Sequence, residues 1–218
     1  NMNEWTFLPE LTLGFGRTVI LFALTLVISL PLGLLVYAGR VAPLKPLNWI
    51  VQFYISIMRG TPLMLQLMVV YFGPYYLFKV PISASYNFWA AIIAFSINYA
   101  AYFAEIYRGG FQAIPQGQTE AAFVLGYSQQ RTFYTIKLPQ MFRTVLPSIT
   151  NEVITLVKDT SLAQVISFLE MFSIAREYAS TTASMTPFVA AGIFYYVFNM
   201  VVAVTMNKLE KRVSKYQI

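Results

Sequence analysis

Five polar side chains, three of them ionisable, recur at helical spacing in the second half of the chain: Asn151, Glu152, Thr155, Lys158 and Asp159. At about 100° per residue they share an arc of about 120°, while Val153, Ile154 and Leu156 point elsewhere. A second set, Asn98, Tyr102 and Glu105, falls within about 60° by the same arithmetic. Both sets lie in apolar surroundings, where an ionisable side chain costs about 2.5–3.5 kcal/mol and normally faces a partner or a water-filled cavity. Carboxylates and an ammonium placed this way suit binding rather than bond-breaking. Lys158 offers a seat for a carboxylate, as do free N–H groups at a helix break such as Thr61 to Leu63. Glu105, Glu152 or Asp159 offers one for an ammonium or a basic side chain. A zwitterion needs both, because dehydrating either charge without a partner is expensive. Three acids against one well-placed base lean towards cationic substrates. The opposing reading is structural: Glu152 and Lys158 neutralise charges on neighbouring helices, Glu105 reaches Arg108, and Arg59 snorkels at the inner face.

Catalytic chemistry finds no footing. The 218 residues include no cysteine and no histidine, which removes disulfides, thiolate sites, the usual metal ligands and Ser-His or Cys-His nucleophiles. No Gly-Lys pair occurs anywhere, so there is no phosphate-cradling P-loop. The chain is therefore expected to be no enzyme by itself and to carry no cofactor.

The elements that must position these residues are membrane helices. The chain is 57% hydrophobic and 11% charged, with a mean hydropathy of +0.59. A soluble domain averages about 45–50% apolar and about 25% charged residues. A spanning helix needs about 20 mainly apolar residues. Five candidates are expected, at about 18–38, 62–77, 88–107, 144–168 and 187–206. Pro31 and Gly33 mark a kink in the first. Before the second, an initial helix runs to about Met58 and Arg59-Gly60-Thr61-Pro62 breaks it. No cleavable leader, internal repeat or low-complexity linker is evident, so the expected division is an extracytoplasmic segment 1–17, a membrane domain 18–207 and a basic tail 208–218.

The net charge of +6 reads as a topology signal rather than a nucleic-acid surface. Ten basic residues (Arg40, Lys45, Arg108, Arg131, Lys137, Arg143, Lys208, Lys211, Arg212 and Lys215) fall in one set of loops and tail, and three (Arg17, Lys79 and Arg176) in the other. The positive-inside rule then places the N-terminus outside and the 108–143 loop and C-terminus in the cytoplasm.

That loop reads as two short water-soluble helices. Pro115 suits a first turn, Glu120 the positive end of a helix dipole, and Ala121 and Ala122 leave room for close approach of another surface. Gly126 is expected at a left-handed C′ position, and Ser128 as N-cap of a second helix ending before Pro139. Glu120-Ala121-Ala122, three residues, Gly126, nine residues and then Ile136-Lys137-Leu138-Pro139 resembles the EAA loop of ABC-transporter permeases of the binding-protein-dependent uptake type. Arg59-Gly60-Thr61-Pro62, Glu105-Ile106-Tyr107-Arg108-Gly109-Gly110, Lys158-Asp159-Thr160-Ser161-Leu162 and Gly117-Gln118 are similar to signatures of the polar amino-acid subfamily, so the likeness runs from about Leu11 to Lys215.

The resemblance implies an all-α permease of the type I importer kind in a bacterial inner membrane. Its loop would be a coupling helix (Gly117, Glu120, Ala121, Ala122, Gly126) seated in a cytoplasmic ATPase. It further implies two such ATPase subunits holding the ATP and Mg, a second permease subunit, and an extracytoplasmic binding protein. Thr61, Asn98, Tyr102, Glu105, Glu152, Thr155, Lys158, Asp159, Thr160 and Ser161 are the expected substrate-binding residues. The rival from another class is an ion-coupled secondary transporter, for which Glu105, Glu152 and Asp159 would also serve; the short chain and the absence of an inverted repeat stand against it.

Overall fold

Small residues decide how closely the longest buried helices approach. In the computed structural model, which describes residues 6–83 and 85–214, α4 (Tyr86–Gln112) lies along α1 (Leu8–Arg40). Ala90, Ala91, Ala94, Ala100, Ala101 and Ala104 are all fully buried on α4. Gly33 of α1 sits so tightly against it that a Cβ there would lie 2.8 Å from Phe103 Cβ and 3.2 Å from the Ala100 carbonyl oxygen. This is the small-residue packing of membrane helices, where lipid is as apolar as leucine and close van der Waals fit holds helices together. α1 runs unbroken through Pro31.

Between them come α2 (Lys45–Gly60) and α3 (Leu63–Phe78), turned through 112° at the Thr61-Pro62 break. α5 (Gln116–Val124) and α6 (Gln129–Thr132) form the loop, a π turn over Phe133–Lys137 follows, and α7 (Leu138–Asp159) re-enters the bundle. A 3₁₀ turn over Thr160–Ile166, α8 (Met171–Thr182) and α9 (Thr186–Ser214) complete the chain. Every element among the described residues is helical. Of these, α1, α4 and α9 are long and apolar enough to cross a membrane, and the bent α2–α3 pair adds a fourth if taken as one span. α7 has the length, at 22 residues, but is polar along one side.

Several expectations shift. The fourth candidate span stops being α-helical at Asp159, because the Thr160 and Ser161 hydroxyls take the Val157 and Lys158 carbonyls at 2.7 and 2.8 Å and tighten the chain into a 3₁₀ turn. The second loop helix does not end before Pro139; it widens into the π turn and continues into α7, with Pro139 two residues past the widened turn. α8 was not foreseen. Its N-cap is Glu170, fully buried, accepting from Phe172 N and Ser173 N at 2.7 Å each, from Ser173 Oγ at 2.9 Å and from the Tyr195 hydroxyl of α9 at 3.0 Å. Burial pushes this carboxyl above the usual carboxylate range, and the N–H groups of Phe172 and Ser173 pull it back. Lys215 and the first five residues lie outside the described residues.

Gly33→Ala is expected to cost about 1–3 kcal/mol by overpacking. Gly109→Ala, where an added Cβ meets nothing within 4 Å, should be neutral or mildly stabilising. Thermal unfolding of the two purified variants checks the contrast; equal midpoints would show that the α1–α4 contact does not limit stability.

Candidate functional site

The break between α2 and α3 frees carbonyl groups inside the bundle, and two side-chain amides take them. Gln66 Nε2 donates to Met58 O at 3.0 Å, to Thr61 O at 3.1 Å and to Thr61 Oγ1 at 2.9 Å. Asn98 Nδ2 donates to the same Met58 carbonyl at 3.1 Å and to Gln66 Oε1 at 2.9 Å. Tyr54 donates its hydroxyl to Ile97 O close by. Irregular backbone at membrane depth survives only when its polar groups are met in this way. Thr61 also donates to Ile57 O at 2.8 Å, so its hydroxyl is committed to the helix end. Asn98, 4% exposed, belongs to this clamp rather than to an open stripe.

The α7 stripe is one face, and it is the open one. Ser148, Asn151, Thr155 and Lys158 are exposed and Glu152 and Asp159 half-buried, whereas Val153, Leu156 and Val157 pack inward. The stripe meets α4 at a residue that sequence reasoning missed. Tyr99 donates its hydroxyl to Asp159 Oδ2 at 2.7 Å, and Tyr102 stands beside it at a ring separation of 6.3 Å. Nothing in the sequence singles out Tyr99 among 15 tyrosines. Thr160 is fully buried and Ser161 half-buried, with both hydroxyls turned back onto the end of α7.

Glu105 is held by three guanidiniums. Arg108 approaches its Oε2 at 2.9 Å through Nη2 and donates from Nε at 3.0 Å; Arg40 Nε lies 3.1 Å from Oε1, and Arg59 Nη1 lies 3.6 Å from Oε2. Arg108 continues to Gln112 at 2.7 Å. The structural reading of Glu105 thus has ionic partners on three helices, two of them, Arg40 and Arg59, unanticipated, while its buried Oε1 accepts no hydrogen bond from the described residues.

In the loop, α5 ends as expected. Gly126 takes φ +78°, its N–H reaches Phe123 O at 2.9 Å, and Tyr127 N reaches Ala122 O at 3.0 Å, the paired bonds of a Schellman cap. Ser128 Oγ accepts from Arg131 N at 3.3 Å, and the Arg131 guanidinium lies 4.2 Å from the Tyr127 ring. Pro115 is one position earlier than expected, at the N-cap. Gly117, Glu120 and Ala121 are exposed, but Ala122 is buried within the loop. The outward surface is instead Phe123, Val124 and Leu125, which are 53%, 88% and 74% exposed. Beside them a cavity of about 430 Å³ opens between Thr119, Phe123, Gln129, Phe133, Tyr134 and Lys137. A Gln118–Gln140 amide pair ties α5 to α7.

A bundle of apolar helices with a polar face at membrane depth, and a separate helical knuckle outside it, defines a multi-pass membrane transport component. Residues 29–215 match the family described as the binding-protein-dependent transport system inner membrane component, and the chain belongs to that family. It is 36% identical over 208 residues to the arginine transport system permease protein ArtQ of Bacillus subtilis, covering 95% of this chain and 94% of that one. It is 33% identical to the L-cystine transport system permease protein TcyB of the same organism, covering 98% and 90%. A solved amino acid ABC transporter crystallised with histidines superposes with a TM-score of 0.86 at 30% identity over 94% of this chain and 95% of that one. The methionine transporter MetNI, at 18% identity and a TM-score of 0.71, shares the fold. Family membership makes the chain a non-catalytic membrane component, located in a membrane as a multi-pass protein.

Asn98→Leu should lower stability by about 1–3 kcal/mol, because it leaves the buried Gln66 Oε1 without its donor while Met58 O keeps Gln66 alone. The midpoint of thermal unfolding without any substrate should fall. An unchanged midpoint with loss only of a substrate-induced shift would return Asn98 to the binding surface.

Proposed function

We propose that this chain is the permease subunit of an ATP-driven importer for polar amino acids. The observation that carries the reading is the open polar face of α7. An edge bearing Asn151, Glu152, Thr155, Lys158 and Asp159 has no tolerable place against lipid tails, so it lines a watered path completed by a second permease copy or paralogue. Named relatives transporting arginine and cystine support amino acids as the cargo. Asp159 and Glu152 suit an ammonium or a basic side chain and Lys158 a carboxylate, which favours cationic amino acids. Thr155 and Tyr102 border the same path.

The loop is the coupling element. Glu120, Ala121, Gly117 and the exposed Phe123-Val124-Leu125 edge would seat in a cytoplasmic ATPase dimer, with ATP and Mg on the partner. Gly126 and the buried Ala122 would keep that knuckle rigid. This fits an orientation with the N-terminus outside and residues 108–143 and 208–218 in the cytoplasm, where an extracytoplasmic binding protein delivers the amino acid from the other side. Domain limits of 1–17, 18–207 and 208–218 follow from the same reading.

Reconstituted with its ATPase and binding-protein partners, the chain should take up radiolabelled arginine only with ATP. Uptake by the chain alone on an ion gradient would favour a secondary transporter, and uptake of glutamate in preference to arginine would overturn the cationic assignment. Gly126→Val forces a β-branched residue into the left-handed region, and Glu120→Lys reverses an exposed charge at the middle of α5, past the first turn where the sequence had placed it. Both should cut ATP-driven uptake about tenfold or more, while the protein still inserts and purifies at near wild-type yield. Full transport by both variants would remove the coupling assignment.

A further inference from the structure

The loop holds a cation that nothing in the chain engages. Lys137 is the last residue of the π turn and is half-buried, yet among the described residues its ammonium makes neither an ion pair nor a hydrogen bond. Between Ala113 and Arg143 the sequence carries Arg131, Lys137 and Arg143 against a single carboxylate, Glu120. That carboxylate is exposed on α5 and does not pair with Lys137. Arg131 differs from Lys137: it is exposed, with its guanidinium 4.2 Å from the Tyr127 ring.

Lys137 lines the cavity of about 430 Å³ beside α5. A hollow of that volume is large enough for a ligand group, since such pockets run from about 300 to 1,000 Å³. Phe133 and Lys137, the two ends of the π turn, both line it, so the widened turn is one wall, and turns of this kind recur at functional sites. The Gln129 and Gln130 amides and the Thr119 hydroxyl also border it and make no hydrogen bond among the described residues. The cavity therefore offers an ammonium, two amides and a hydroxyl, and no carboxylate. An acidic side chain leaving water needs such a set of donors. Around the mouth, Phe123, Val124, Leu125 and Tyr134 are exposed. A polar hollow inside an apolar edge is the build of a protein interface, whose surround excludes water from the central contact.

We propose that Lys137 is a charge-specific anchor of the loop, pairing with an acidic side chain that projects from the cytoplasmic ATPase into this cavity. This rests on the coupling reading above. There α5 seats in the ATPase; the anchor runs the other way, from the ATPase into the loop, and lies on the π turn rather than on the Glu120-to-Gly126 run. A charge pair held in this way fixes register and partner choice. An ATPase with a basic residue at that point would set two cations face to face and be refused.

The full chain, assembled with its ATPase subunits in nanodiscs, is treated with a water-soluble carbodiimide, which activates a carboxylate so that a touching lysine displaces the urea and forms an amide. Peptide mapping should find Lys137 joined to an Asp or Glu of the ATPase. Lys137 joined only to Glu120, or unlinked in an assembled complex, would overturn the anchor alone. A wild-type chain that binds no ATPase would overturn the anchor together with the coupling reading. Lys137→Met should weaken ATPase binding about tenfold or more at low salt and flatten its salt dependence, Lys137→Glu should weaken it further, and Lys137→Arg should retain it. Arg131→Met, outside the cavity, should leave both affinity and salt dependence near wild type. Equal losses for Lys137→Met and Arg131→Met, or no loss for Lys137→Met, would overturn the anchor.

Discussion

Backbone carbonyls cannot be left bare inside an apolar bundle, and the break at Thr61-Pro62 bares several at once. The amide groups of Gln66 and Asn98, bonded to each other and to Met58 and Thr61, are what make the break tolerable. The placing of the neighbouring side chains depends on this clamp. It turns the chain through 112° and so ends α2 where Arg59 overlooks the Glu105 cleft. It also ties α3 to the middle of α4, so that Tyr99 and Tyr102, one turn on, stand at the depth of the α7 carboxylates.

Two kinds of packing divide the labour. On the α1–α4 side, alanines and Gly33 allow helices to close, with the Tyr107 hydroxyl donating to Leu30 O at 3.1 Å and the Arg40–Glu105 ion pair as the polar contacts across the seam. On the α7 side the inward residues are branched and apolar while the outward ones carry charge, so one helix is both wall and lining. The ring contacts Tyr37–Phe111 at 4.9 Å and Phe111–Phe133 at 5.4 Å, both nearly parallel, join the loop-side ends of α1 and α4 to the π turn. The loop thus touches the bundle through stacked surfaces as well as through the peptide chain.

Much of this was legible in the sequence because it rests on local rules. The break at Arg59-Gly60-Thr61-Pro62, the left-handed Gly126, the Ser128 cap and the single polar face of α7 all follow from residue type and spacing. What stayed hidden depends on partners far apart in sequence. Asn98 reads as part of a stripe until Gln66, 32 positions away, claims it. Tyr99 looks like any core tyrosine until Asp159 is brought to its hydroxyl. Glu170 gave no cap signal, because a buried glutamate is an unusual N-cap and is affordable here only through four donors from α8 and α9. Ala122, read as an open contact point, is covered by the loop's own fold.

The uninterrupted passage from α6 through Phe133–Lys137 into α7 has a mechanical meaning. A hinge at that point would let the knuckle tilt while the lining stood still. A wound rod does the opposite: torque applied at one end arrives at the other as rotation about its own axis. Under the proposed coupling, a twist taken up by the loop would therefore turn Glu152 and Asp159 together about the axis of α7.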